Sequence, residues 1–296
     1  MRIKYRFVTV MQRDIKKAKA IKDILEQYSI KYKYEENNVL GFHWDIEFNL
    51  YEDMVSFEKI LNEIKSFELL EQVSTEFEKN DMDNAEWYEI FAPPSQYPQP
   101  EDDWRYMKLV FDLSNWCPYC NTGKIQNNPY RLKKGPKQKS NQFWGIFWEE
   151  EALFCGEAIK TIFEKEKIRG IHFTQPVNKK NIPFEGYYQI MIEKTLDNGF
   201  DQNNTEAIVC NNKNYPKKNY ELEVNHCGKV KYENVNRGGY TFNKDVFSSK
   251  NDLYLSSEWF GSGWQAYRLS IISKKIYEII LKHKLKGLTV EPIYFK

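Results

Sequence analysis

The chain of 296 residues has no long apolar run, almost no net charge, few cysteines and none of the short signatures that announce a reaction. No apolar stretch approaches the roughly 18 residues that a membrane span requires. The opening MRIKYRFVTVMQRD carries charges inside its only apolar stretch, so it offers no secretory h-region and a cytoplasmic location is expected. With 43 Lys plus Arg against 42 Asp plus Glu, the formal charge of +1 argues against a protein that holds nucleic acid through its overall field, which needs an excess of phosphate-neutralising cations. Five cysteines are an odd number and make a poor disulfide framework, which leaves metal ligands or buried thiols. Nucleophile elbow, P-loop, HExxH and a strand-to-helix GxGxxG are all missing. Glu149, Glu150, Glu151 and Glu258 stand near tryptophans without a nucleophile or base to work with, so the chain reads as a non-enzyme.

Aromatic side chains are plentiful instead. Phe, Trp and Tyr make up 16% of the residues and the apolar share is 41%, enough to bury real cores over a length that suits two domains. Near the N-terminus Ile3, Tyr5 and Phe7 alternate with Arg2, Lys4 and Arg6, the period of a half-buried strand. After Asp14 the period changes, and Ile15, Ala18, Ile21, Leu25 and Tyr28 fall on one helical face. Ile30, Tyr32 and Tyr34, then Phe42, Trp44, Ile46, Phe48 and Leu50, alternate on either side of Asn37-Asn38, which predicts a hairpin. His43 falls on the outward phase of its strand and reads as a surface histidine. Met54, Phe57, Leu61 and Ile64 predict a second helix and Leu70 to Phe77 a last strand. The order β-α-β-β-α-β is the ferredoxin-like plan, expected over residues 1–92.

Residues 93–103 hold Pro93-Pro94, Tyr97-Pro98-Gln99-Pro100 and Glu101-Asp102-Asp103, a proline density that resists regular structure and marks a connector or a docked extended arm. Residues 104–296 read as a diverged duplication, with repeats at about 104–177 and 186–293. Phe154–Phe173 aligns without gaps on Ile271–Val290 as strand, helix and strand, with Gly170 and Gly287 as the helix stops. Upstream, Tyr106–Phe111 matches Tyr188–Ile192, and CPYCNTGK from Cys117 matches VNHCGKVK from Val224. The expected class is α+β: a ferredoxin-like domain followed by a pseudo-symmetric pair of α+β units bearing a degenerate zinc-ribbon-like pair of knuckles.

Cys117 and Cys120 have the spacing of a zinc knuckle, in which residues that tolerate positive φ let the backbone turn toward the sulfurs. The second knuckle keeps Cys227, while Val224 stands where its first thiolate would be. Three thiolates need a fourth donor for Zn2+, and the candidates are His226, which is the immediate neighbour of Cys227, and Cys210; a metal-free remnant is the other reading. Cys155 lies in an apolar run and reads as a core thiol.

The motifs WYEI (from Trp87), YPQPED, CPYCNTGKIQ, PYRLK, EWFGSG and LKGLTVEP together resemble the double-CxxCG motif proteins, a bacterial family expanded in myxobacteria. The resemblance covers about residues 87–292. It implies a metal-ribbon-like fold, thiolate roles for Cys117, Cys120 and Cys227, and, some members being immunity proteins against contact-delivered toxins, partner binding; it does not imply an enzyme. Asn121 and Val224 depart from the family pattern.

Two surfaces compete for that role. The acidic stretch ending in Glu101, Asp102 and Asp103, interleaved with Trp87, Tyr88, Tyr97 and Trp104, suits a basic protein partner such as a toxin domain. The alternative is nucleic-acid binding by the basic segment 124–139, with Lys124, Arg131, Lys133 and Lys134 beside Trp144.

Overall fold

The computed structural model describes residues 1–9, 12–37, 43–216, 225–248 and 250–296; Asn38, Phe42 and Val224 lie outside them. The fold is mixed α+β and divides into two compact units, Met1–Asn84 with Asn236–Gly239, and Ala85–Val235 with Tyr240–Lys296.

The first unit runs β1 (Arg2–Val8), α1 (Ile15–Gln27), β2 (Tyr32–Asn37), β3 (His43–Tyr51), α2 (Phe57–Lys65), β4 (Leu70–Glu76) and the short α3 (Lys79–Asn84). Its four strands lie in the order β2-β3-β1-β4, every neighbour antiparallel. Asp14 caps α1 by accepting from the backbone N–H groups of Lys16 (2.9 Å) and Lys17 (3.4 Å). The alternation read from the sequence is the burial pattern: Tyr5, Phe7, Trp44, Ile46, Phe48 and Leu50 form one core with Ala18, Ile21 and Leu25 of α1 and Phe57, Ile60, Leu61 and Ile64 of α2. Two expectations fail at element ends, where the period does not decide exposure. Ile15 is exposed in the first turn of its helix, and His43 is buried beside Trp44 at the start of β3. Asn236–Gly239 complete this unit: Thr75 Oγ1 donates to the Asn236 carbonyl (3.1 Å) and accepts from the Gly238 N–H (2.9 Å), and Arg237 pairs with Glu52.

The second unit begins with β5 (Trp87–Phe91) and β6 (Pro94–Gln96), then α4 (Tyr106–Val110), β7 (Phe111–Asp112) and β8 (Ile125–Gln126). There follow β9 (Phe143–Ile146), β10 (Glu149–Gly156), α5 (Glu157–Lys165), β11 (Ile171–Thr174), β12 (Tyr187–Ile192), β13 (Ala207–Val209), β14 (Val230–Tyr232) and β15 (Thr241–Phe242). The chain closes with β16 (Leu253–Leu255), β17 (Trp259–Phe260), β18 (Ser270–Ser273), α6 (Lys274–Lys282), β19 (Thr289–Pro292) and β20 (Tyr294–Phe295).

Its two main sheets, β11-β12-β10-β9-β6 and β16-β18-β5-β19, place corresponding segments in the same register. Phe154, Cys155 and Gly156 face Gln189, Tyr188 and Tyr187, while Ile271, Ile272 and Ser273 face Glu89, Tyr88 and Trp87. Phe173 faces Ile190 as Val290 faces Ile90. The counterpart of β12 is therefore β5, not Tyr106–Phe111. Tyr106–Val110 is a helix, with Tyr106, Met107 and Val110 buried at helical spacing. β5, which precedes the first strand–helix–strand in the chain, lies in the sheet of the second, and β12, which precedes the second, lies in the sheet of the first. A boundary at residue 92 would cut off β5, the strand between β18 and β19; the compact units part after Asn84.

The proline-rich stretch is a docked arm. Pro94 and Gln96 pair in parallel with β9, the Gly145 N–H donates to Pro93 (2.9 Å), and the Gln99 N–H donates to Arg131 (2.9 Å).

Candidate metal centre

Two tight turns and one hairpin bring four sulfurs together. In the first knuckle the Cys117 N–H donates to the Thr122 carbonyl (2.9 Å) and the Asn121 N–H to the Cys117 carbonyl (2.8 Å). That loop closes because Asn121 adopts φ 61°, held by the Trp116 indole N–H donating to its side-chain oxygen at 2.8 Å. At the matching place of the second knuckle Gly228 has φ 70°. The hairpin of β13 and β14 sets Val209 against Val230, so Cys210, the residue after β13, lies beside the turn that carries Cys227; its N–H donates to Lys229 (2.8 Å) and its carbonyl accepts from Gly228 (3.2 Å).

Cys117 Sγ is 3.7 Å from Cys210 Sγ and Cys120 Sγ is 3.6 Å from Cys227 Sγ. All four ligand atoms lie within 4.8 Å of one another, with Cys117, Cys120 and Cys210 buried and Cys227 exposed. Sulfurs at about 2.3 Å from a tetrahedral Zn2+ stand about 3.8 Å apart, so the donor set fits a divalent, thiophilic ion. Burial opposes ionisation of Cys117, but the N–H groups of Cys120 and Tyr119 bring its thiol down to about 7. Burial raises the Cys120 and Cys210 thiols by disfavouring their charged forms. Such an ion would be held by Cys117, Cys120, Cys210 and Cys227, and as Zn2+ it would supply a closed structural crosslink between the two knuckles.

His226, the other candidate for the fourth ligand, is placed differently. Its ring stacks on Tyr119, its counterpart in the first knuckle, with centroids 4.1 Å apart, and its Nε2 is 2.7 Å from the Tyr215 carbonyl. Tyr215 packs against the sulfurs, and its buried hydroxyl is without a partner among the described residues.

The expected partner face divides. Trp87 and Tyr88 are core residues of β5. Tyr97 and Trp104 are exposed at 42% and 38%, and join a ring cluster the sequence did not single out: Tyr97 lies 4.3 Å from Phe147 and 4.8 Å from Trp148, and Trp104 lies 4.6 Å from Trp148 and 4.5 Å from Trp264. Glu101 is half-buried and Asp102 and Asp103 are exposed beside these rings in the chain. The basic segment divides as well. Lys124 is buried, its ammonium 2.9 and 2.7 Å from the two carboxylate oxygens of Glu149, which also accepts from the Tyr106 hydroxyl at 2.7 Å. Trp144 is 1% exposed in the core, Arg131 is half-buried, and Lys133 and Lys134 face solvent. Cys155 is a buried core thiol.

No helix among the described residues is long and apolar enough to cross a membrane. Compared with known proteins, the chain matches no family model, and no curated protein is similar to it at a significant level.

Proposed function

We propose that the chain is a non-enzymatic recognition protein of the double-CxxCG type, cytoplasmic, in which one Zn2+ on the four cysteines braces the second unit and an acidic, aromatic face binds a basic protein partner. The role is that of an immunity protein, a direct neutraliser of a toxin domain. One observation carries the reading: Tyr97 and Trp104 are exposed members of a continuous ring cluster, beside Asp102 and Asp103, on backbone with positive φ at Asp103, Trp104 and Trp148. Left-handed backbone at non-glycine residues costs about 1–3 kcal/mol each and persists where surroundings enforce it, which suits a rigid docking surface better than a solvated linker. Aromatic anchors give the affinity and the carboxylates the steering.

The finer features of the fold belong to the same reading. The strand order β2-β3-β1-β4 supports a ferredoxin-like first unit. The equal registers around β5 and β12 support descent by duplication, and the left-handed residues Asn121 and Gly228 support paired zinc-ribbon-like knuckles. The nucleic-acid alternative loses Lys124 and Trp144 to the interior.

The test is a titration of the full chain with the toxin domain encoded directly upstream of its own reading frame. A one-to-one complex is expected, weakened by roughly 30-fold or more on Trp104→Ala, as for a hot-spot anchor worth about 2 kcal/mol. No complex, or one indifferent to Trp104→Ala and Tyr97→Ala, overturns the proposal.

A further inference from the structure

Two lysines occupy the same place in the two knuckles, Lys124 four residues after Cys120 and Lys231 four residues after Cys227. Both are buried, and their surroundings differ in one decisive way. Lys124 is neutralised by Glu149 at 2.7 Å. Continued five residues upstream, the correspondence that sets Phe154 on Ile271 sets Ala266 against Glu149, so the second lysine has no carboxylate at the matching position.

Lys231 is fully buried at 0% exposure. Its ammonium donates to the carbonyls of Gly263 (2.7 Å) and Gln265 (2.6 Å) and lies 5.4 Å from the centre of the Tyr215 ring. Carbonyls and a ring supply dipoles, not charge, and among the described residues no carboxylate pairs with it. An ammonium taken out of water without a counter-charge carries a heavy desolvation penalty. That ring is itself packed against Cys117, Cys120 and Cys210, so the ammonium lies one side chain away from the four-sulfur cluster.

We propose that Lys231 is the counter-charge of the metal–thiolate centre and, through Gly263 and Gln265, ties the Gly261–Gln265 loop to metal occupancy. A divalent ion on four thiolates carries a net charge of −2, which one buried ammonium reduces to −1. The same loop is fastened to the first knuckle by the Trp264 indole N–H, which donates to the Pro118 carbonyl at 2.9 Å. Lys231 is thus a positioning residue that touches the ion only through its field. The inference rests on the metal half of the proposed function and is independent of the partner.

The sign of its effect must reverse with metal. Without the ion the charge of Lys231 faces only two carbonyls and a ring, and with the ion bound it faces the net negative charge of four metal-bound thiolates. The full-length protein and its Lys231→Met, Lys231→Arg and Lys124→Met variants are stripped of metal, titrated with Co2+ against a competing chelator, and melted in both forms. The wild-type chain is expected to take one Co2+ with thiolate charge-transfer absorption. Lys231→Met should bind it about 10- to 100-fold more weakly, the usual loss for a group supporting metal ligands, yet melt higher than wild type without metal. Lys231→Arg should recover most of the affinity, and Lys124→Met should keep it. If Lys231→Met binds Co2+ as tightly as the wild type, or is destabilised equally with and without the ion, Lys231 is a packing residue and the proposal falls. A wild-type chain that takes up no Co2+ sinks the metal reading, and this inference with it.

Discussion

At the scale of single residues, substitutions between matched positions reveal more than the motifs do. The CxxC spacing made Cys117 and Cys120 legible, the matching of the two knuckles added Cys227, and Cys210 stood in reserve as a donor. What decides for Cys210 over His226 is a strand pairing, Val209 against Val230, that no spacing rule contains. Glu89 is a second case. Its matched residue is Gln189, and across the sheet it faces Glu291 where Gln189 faces Thr174. Burial, and then the neighbouring Glu291, push the Glu89 carboxyl from 4.5 up to about 8, and burial raises Glu291 as well. Tyr240 and Tyr267 also sense this carboxylate. A carboxyl raised in the folded state keeps a proton that the unfolded chain has already released. Its contribution is therefore fully present below pH 4.5 and is lost as the pH rises through about 8. Stability should fall across that window by up to about 1.4 kcal/mol per pH unit, and Glu89→Gln should flatten the fall. Melting curves of the two proteins from pH 5 to 9 decide the matter: parallel curves would show that Glu89 is solvated and the carboxylate pair inert.

At the scale of elements, periodicity served where one face is buried and failed where chain ends or tertiary partners set the environment. The helices α5 and α6 were visible from their apolar spacing, and Phe163 and Ile280 anchor their last turns. Their stops are not the glycines. Lys167 (φ 53°) and Lys284 (φ 50°) take the left-handed position, with Lys167 N–H donating to Glu164 and Ile168 N–H to Phe163, and the same pair of bonds from Lys284 to Leu281 and Leu285 to Ile280. Gly170 (φ 86°) and Gly287 (φ 88°) act three residues later, in the approach to the next strand. A methyl group at Gly287 would lie 2.1 Å from the Phe143 carbonyl oxygen, a backbone atom that β9 holds in place, whereas at Gly170 the nearest atom would be 3.0 Å away. Gly170→Ala should therefore cost about 1–2 kcal/mol from backbone conformation alone, and Gly287→Ala about 3 kcal/mol or more. Urea unfolding of both variants measures this. Equal losses would mean that conformation, and not the close approach to β9, dictates glycine at residue 287.

At the scale of the molecule, what stayed hidden was a pairing between residues far apart in sequence. The two strand–helix–strand segments and their knuckles could be matched along the chain because packing preserves pattern, and the knuckles do meet: Cys120 and Cys227 touch at 3.6 Å. The matching of WYEIF at residues 87–91 with YYQIM at 187–191 was equally available in the sequence, yet the proline cluster after Phe91 made that stretch look like the end of the first domain. Strand β5 has hydrogen-bonded neighbours on both sides, Tyr88 lying between Ile272 of β18 and Pro292 of β19. Removing it would leave two strand edges unpaired and expose the core around Trp87, Tyr254 and Ile271. A fragment starting at Ala85 keeps the strand and should fold cooperatively and bind one Co2+. One starting at Trp104, at the end of the proline cluster, should fail to fold or aggregate, although every cysteine is present in both. Far-UV circular dichroism and Co2+ stoichiometry of the two fragments provide the comparison. If the shorter one folds and takes the metal with equal affinity, β5 is an accessory strand, and the exchange of first strands between the two sheets is not what holds the second unit together.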